Sequence, residues 1–110
     1  MSTSRYQPPE WLTHSPQEDL VSTLKLLKTE EEIREFLCSL LTAQEYANIS
    51  SRWRVTVLFL EGLNGVQIHG ITAYARGVIS RVNTRIVQGK ESSLCRYAYE
   101  QLRQHRIDQK

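Results

Sequence analysis

Apolar side chains return along this chain at steps of three and four, the spacing that lines one face of a helix. Leu20, Val21, Leu24 and Leu27 form a first stripe. Ser15-Pro16-Gln17-Glu18 ahead of it reads as a capping box with proline at the first helical position. Thr29-Glu30-Glu31-Glu32 is a second box, leading into Ile33, Phe36, Leu37, Leu40 and Leu41, and its acids suit the positive end of a helix dipole. Thr42-Ala43-Gln44-Glu45 is a third. It opens a helix of about 18 residues carrying Tyr46, Ile49, Trp53, Val57 and Leu60, with Gly62 as its C-terminal cap. Beyond Gly62 the elements shorten. Asn64-Gly65 turns into a helix over 66–71, residues 72–75 connect, and a helix over about 76–88 carries Val78, Ile79, Val82 and Ile86 on one side until Gly89 stops it. Ser92 or Ser93 starts a last helix with Leu94, Tyr97, Ala98 and Leu102. No period-two alternation competes. The pattern predicts an all-α chain of about six helices, with a flexible arm over 1–14 and one helical domain over 15–107.

The chain's 110 residues, 40% of them apolar, have the size of one small domain. The densest apolar run, 55–60, is interrupted by Thr56 and falls far short of the ~20 residues of a membrane helix. Residues 1–10 have no apolar stretch to serve as signal or anchor, so a cytoplasmic protein with no membrane partner is expected. Cys38 and Cys95 make neither a disulfide framework nor a paired zinc motif, and Cys38, set among apolar residues, reads as core. His14, His69 and His105 stand without carboxylate or cysteine at ligand spacing, so no metal is expected. Nor does a nucleophile motif support an enzyme.

The charge changes this picture. The net +2 conceals a division along the chain. Residues 1–51 hold four bases against eight acids, while 52–90 hold Arg52, Arg54, Arg76, Arg81, Arg85 and Lys90 against Glu61 alone. Basic charge gathered in one third of a chain is what a nucleic-acid footprint looks like.

The same third contains a short helix, a turn and a second helix rich in Gly, Ser, Thr and Arg, an order that resembles a helix-turn-helix over about 65–88. In that motif the second helix lies in the major groove of double-stranded DNA. Gly77 and Ser80 are small enough for close approach, Arg76 suits bidentate pairing with guanine, and Thr84 falls on the same side. Gln67 and His69 on the first helix, with Tyr74 in the turn, are placed to hold or read the neighbouring backbone. Arg85 and Lys90 suit phosphate. An ordinary pair of helices with a basic face would look much the same. The alternative of a helical interaction module that meets an acidic protein or RNA therefore stays open. Trp53 and Trp11 read as packing residues, although the position of Trp11 in the arm leaves contact with a partner subunit or with DNA open.

Four stretches in order and at matching spacing, Leu40-Leu41-Thr42-Ala43-Gln44-Glu45, Ser51-Arg52-Trp53-Arg54-Val55, Leu60-Glu61-Gly62 and Ile79-Ser80-Arg81-Val82, resemble the Trp repressor family over about 36–90. The resemblance is nearer to a less-characterised branch of that family than to its tryptophan-binding members. It implies an intertwined homodimer that reads a palindromic operator, most readily as a repressor. It also implies an effector pocket in which L-tryptophan, or a related aromatic amino acid, lies between Arg52 and Arg81, with Thr42 and the backbone of Leu40 and Leu41 as wall. The chain departs from the pattern at several of these places. Val82 stands where the tryptophan-binding members have glycine to admit the indole, and Arg85 near the serine that helps hold the ligand's amino group. Ala73 replaces the turn glycine, and Ala75 the usual serine or threonine cap of the second helix. These departures count against tryptophan itself and leave DNA binding intact. No other cofactor is expected.

Overall fold

The computed structural model of the chain describes residues 7–89 and 92–109, and every regular element among them is helical. In order these are α1 (Pro16–Leu26), α2 (Glu30–Leu40), α3 (Ala43–Leu60), α4 (Gly65–Thr72), α5 (Arg76–Val82), a π-helical turn (Asn83–Val87) and α6 (Ser92–Asp108). The all-α architecture expected from the apolar spacing is the one adopted. The chain divides into two compact units, Met1–Thr42 and Ala43–Lys110.

In the first unit Ser15 and Thr29 cap their helices, but only half of each of these two boxes forms. Ser15 Oγ accepts the Glu18 N–H at 3.2 Å with Pro16 opening α1. The Ser15 N–H then turns to Thr13 Oγ1 at 3.1 Å, and the Thr13 hydroxyl donates to Asp19 Oδ1 at 2.8 Å. Thr13 is thereby fastened to the first turn of α1. Thr29 Oγ1 accepts from the Glu32 N–H at 3.1 Å, while the Glu32 carboxylate accepts from Lys28 N–H at 2.7 Å, one residue further back than the box geometry. Neither α1 nor α2 buries a single residue. Leu26 is 75% and Leu40 59% exposed. Cys38, expected in a core, is exposed for the same reason: the apolar stripes of two eleven-residue helices are wider than this unit can cover by itself. Trp11, expected to pack, is 80% exposed.

The second unit is built around α3. Gly62 adopts φ 102° after the helix, its N–H bonding to Phe59 O at 3.0 Å and that of Leu63 to Leu58 O at 3.1 Å, so the last carbonyls are satisfied as the chain reverses. Val55, Ile68, Ile79 and Val82 make the buried core, edged by Leu58, Phe59, Leu63, Tyr74, Ile86 and Val87. Thr56 is fully buried as well, its hydroxyl spent on Arg52 O at 2.8 Å, so no polar group is stranded. The buried side of α3 is not the stripe of Tyr46, Ile49, Trp53, Val57 and Leu60. Ile49 is exposed and the others half-buried, while Val55 and Thr56 are sealed. Residues 55–60 are apolar all round apart from Thr56, so spacing cannot choose a face there, and the packing of α4 and α5 does.

Asn64 and Gln67 close a complete capping box at the start of α4: Gln67 N–H to Asn64 Oδ1 at 2.9 Å and Asn64 N–H to Gln67 Oε1 at 2.8 Å. The helix runs one residue further at each end than 66–71 and stops at Ala73, whose φ of 61° and ψ of 12° lie in the left-handed region. The link to α5 is therefore residues 73–75.

The second helix of the pair is not one α-helix over 76–88. It is α-helical only to Val82 and widens into the π turn, closed by the Gln88 N–H on Asn83 O at 2.9 Å, five residues back. Gly89 explains the stop, because a β-carbon there would run into the Arg85 carbonyl oxygen. Downstream, the Tyr99 hydroxyl of α6 donates to the Glu61 carboxylate just past α3, and Arg103 Nε stands 3.5 Å from the same group.

Candidate nucleic-acid interface

One side chain of α4 and one of α5 decide how the pair is held. Ile68 is fully buried and Ile79 nearly so, which clamps the helices to α3. The turn is fixed by hydrogen bonds: His69 Nδ1 lies 2.8 Å from Tyr74 O, Thr72 Oγ1 donates to Ile68 O at 2.7 Å, and the Tyr74 N–H donates to Thr72 Oγ1 at 3.1 Å. His69 is thus half-buried and occupied in the turn, and Gln67 is occupied in the cap. Both were expected to reach towards DNA. In this structure they also brace the motif locally, Gln67 remaining exposed and His69 half-buried.

The outward side of α5 presents Arg76, Gly77 and Ser80, all exposed. A β-carbon at Gly77 would meet no more than the far end of Arg81, at 3.9 Å, so the helix surface is open at that point. Thr84 and Arg85 are exposed on the π turn. Lys90 lies outside the described residues. Among those residues the ion pairs are Arg34 with Glu31 and Arg103 with Glu61, which leaves Arg76 and Arg85 without an acidic partner there. A small recess of about 290 Å³ beside Arg76 and Ser80 is walled by Phe59, Val66 and Ile79.

On the other side α3, the turn and α5 enclose a larger cleft of about 690 Å³. Arg52, Arg81 and Arg85 all line it, with Asn48, Ser51 and Tyr74 as further polar groups and Ala75, Val78, Val82 and Ile86 as apolar wall. None of these ten residues is acidic. Arg52 and Arg81, paired in the sequence reading, thus share one cavity. Leu40, Leu41 and Thr42 end the first unit, where Leu40 is exposed and Leu41 half-buried. Asn48 is not singled out by the sequence, and Ser51 and Val78, named there in other connections, are not placed at the cleft by it. The signal was there, since residues 48, 51 and 52 share a face of α3.

A chain with this helix order, this three-residue turn and this pair of arginines is matched by the family profile described as Trp repressor protein, over residues 17–95. The chain belongs to the Trp repressor family. The match runs from the first turn of α1 to the first turn of α6, so it takes in the whole helix-turn-helix. Trp repressor family members are DNA-binding regulators rather than enzymes. No curated protein and no solved structure matches the chain. Among the described residues no helix is long and apolar enough to cross a membrane.

Proposed function

We propose that this chain is a homodimeric repressor that binds a palindromic operator in double-stranded DNA, working in the cytoplasm under the control of a small effector. The observation that carries the reading is the exposed row Arg76, Gly77 and Ser80 on a helix clamped to the core by Ile79 and Val82. A rigid helix with a low outer surface can enter the major groove, where Arg76 at its start meets base edges. Thr84 and Arg85, a turn further on, meet the sugar–phosphate backbone and set the register. His69 and Gln67 act behind them by keeping the turn and the first helix in shape.

The partner is a second copy. Helices that bury nothing, with Leu26, Leu40 and Val21 exposed, need about 1,200–2,000 Å² of contact to make a stable assembly, and an identical chain offers the same surface in return. Two copies then place two reading helices about one helical turn of DNA apart, which makes the operator palindromic.

The experiment is selection of bound fragments from sheared genomic DNA at about 150 mM salt, a concentration at which sequence-blind binding is weak. One enriched palindrome supports the reading. Recovery of fragments without a shared motif overturns it and favours a basic module for an acidic protein or RNA. Sedimentation of the free protein tests the dimer separately.

A further inference from the structure

We propose that the small recess beside Arg76 seats the C5 methyl group of a pyrimidine, so that Val66 selects a methyl-bearing base in a base pair next to the guanine that Arg76 meets. The inference rests on the reading above and adds to it an operator feature that hydrogen bonds do not read. Phe59, Val66 and Ile79 give the recess, about 290 Å³, an apolar lining. Arg76 and Ser80, two residues of the exposed row on α5, line it as well, so it opens on the surface that carries that row. Val66 is 79% exposed, although its helix is anchored by the fully buried Ile68. Helix α4, Gly65–Thr72, contains no lysine, arginine or carboxylate, and the ring of His69 is occupied at Tyr74 O. Val66 therefore has no charged neighbour on its own helix to draw a phosphate, and what it gains from a partner is burial against another apolar group.

The major groove offers one such group. Guanine, cytosine and adenine present donors and acceptors there, and thymine alone of the four adds a methyl. 5-Methylcytosine presents the same group from the same ring position. A guanidinium and an apolar recess side by side thus read neighbouring base pairs by different means, the first through guanine O6 and N7 and the second through methyl contact. Gly65 keeps the recess open. A β-carbon there would stand 3.8 Å from Ile79 Cγ2, an ordinary contact, so alanine fits the fold at this position while taking space from the recess that both residues line.

Synthetic duplexes with a randomised centre are selected on the full-length protein, and the enriched half-site is remade one base at a time. Deoxyuridine replaces thymidine, and 5-methyldeoxycytidine replaces deoxycytidine; each exchange alters a methyl group and keeps the base pairing. Loss of the methyl beside the guanine should weaken binding about fourfold per half-site, the worth of one buried methyl, and about fifteenfold across a palindrome. Weakening by deoxyuridine assigns the seat to thymine, and tightening by methylation of a cytosine assigns it to 5-methylcytosine. Val66→Ser, at an exposed position, and Gly65→Ala should each bring that effect below about twofold while the preference for guanine and the urea midpoint are kept. The absence of a methyl effect beside the guanine, or its survival in either variant, overturns the proposal and leaves operator recognition standing. So does a Val66→Ser protein that ceases to sediment as the parent does, since the recess then belongs to a contact between subunits. Selection that yields no shared motif removes operator recognition and this proposal together.

Discussion

Ala73 offers a sharp test of the turn, because it places an L-residue where glycine is at ease. Its φ of 61° and ψ of 12° are left-handed, and its N–H closes the end of α4 on His69 O at 2.8 Å. The methyl group in that conformation crowds the following carbonyl at a cost of about 1–2 kcal/mol. Glycine removes this cost but gives the unfolded chain more freedom, worth about 0.4–1 kcal/mol in the other direction. Ala73 is exposed, so little buried area goes with the methyl. The balance for Ala73→Gly is a gain of about 0.5–1 kcal/mol, or roughly 2–8 °C for a unit of this size. Urea denaturation of both proteins at one protomer concentration measures it, with the slope of the transition unchanged. Ala73→Asn should gain less, since asparagine tolerates the left-handed region better than alanine but less well than glycine, and Ala73→Val should lose. A glycine variant no more stable than the parent, at equal slope, would refute a turn held in the left-handed conformation.

Ile68→Ala empties a fully buried site and should cost about 2–5 kcal/mol in the same denaturation assay. Asn64→Ala removes one side of the capping box and should cost about 1 kcal/mol, seen as a lower urea midpoint. Arg76→Ala should relax preference at its base by about 1–3 kcal/mol in competition binding, and Lys90→Ala should weaken all sequences alike, lowering the salt slope by about one; equal losses on every sequence for both would remove Arg76 from base reading. The Glu61 carboxylate raises the Tyr99 phenol above its ordinary 10.0, chiefly by accepting its hydrogen bond. A raised folded value favours the folded state below pH 10 and stops doing so as pH rises through that value, so Tyr99→Phe should lose less stability than the parent on passing to alkaline pH.

The sequence revealed helix starts better than helix surroundings. Ser15, Thr29, Asn64 and Gly62 act locally, through backbone groups within three or four residues, and their roles follow from residue type alone. The buried side of α3 does not, because an all-round apolar segment takes its inner face from whatever packs on it. Val55 and Thr56 were chosen by α4 and α5, which no spacing rule contains. The cleft was half legible. Arg52 and Arg81 emerged from a resemblance to a family, whereas Asn48, Ser51 and Val78 entered only when three elements met. The π turn left no mark in the residue pattern, since NTRIV is acceptable to an α-helix.

A π turn can be described as an α-helix holding one residue too many. Five residues, Asn83–Val87, occupy a loop of backbone that four would close in α geometry. Deleting one of them would let the helix continue with its ordinary hydrogen bonds, keeping Arg76, Gly77 and Ser80 where they are and changing the phase of everything after the deletion. This segment is therefore a place where the chain can change length by one without disturbing Arg76, Gly77 and Ser80, the change falling on Thr84 and Arg85 and so on the backbone contacts that set the register. Gain or loss of a single codon there would exchange the side chain at the far wall of the cleft and leave the reading helix as it was.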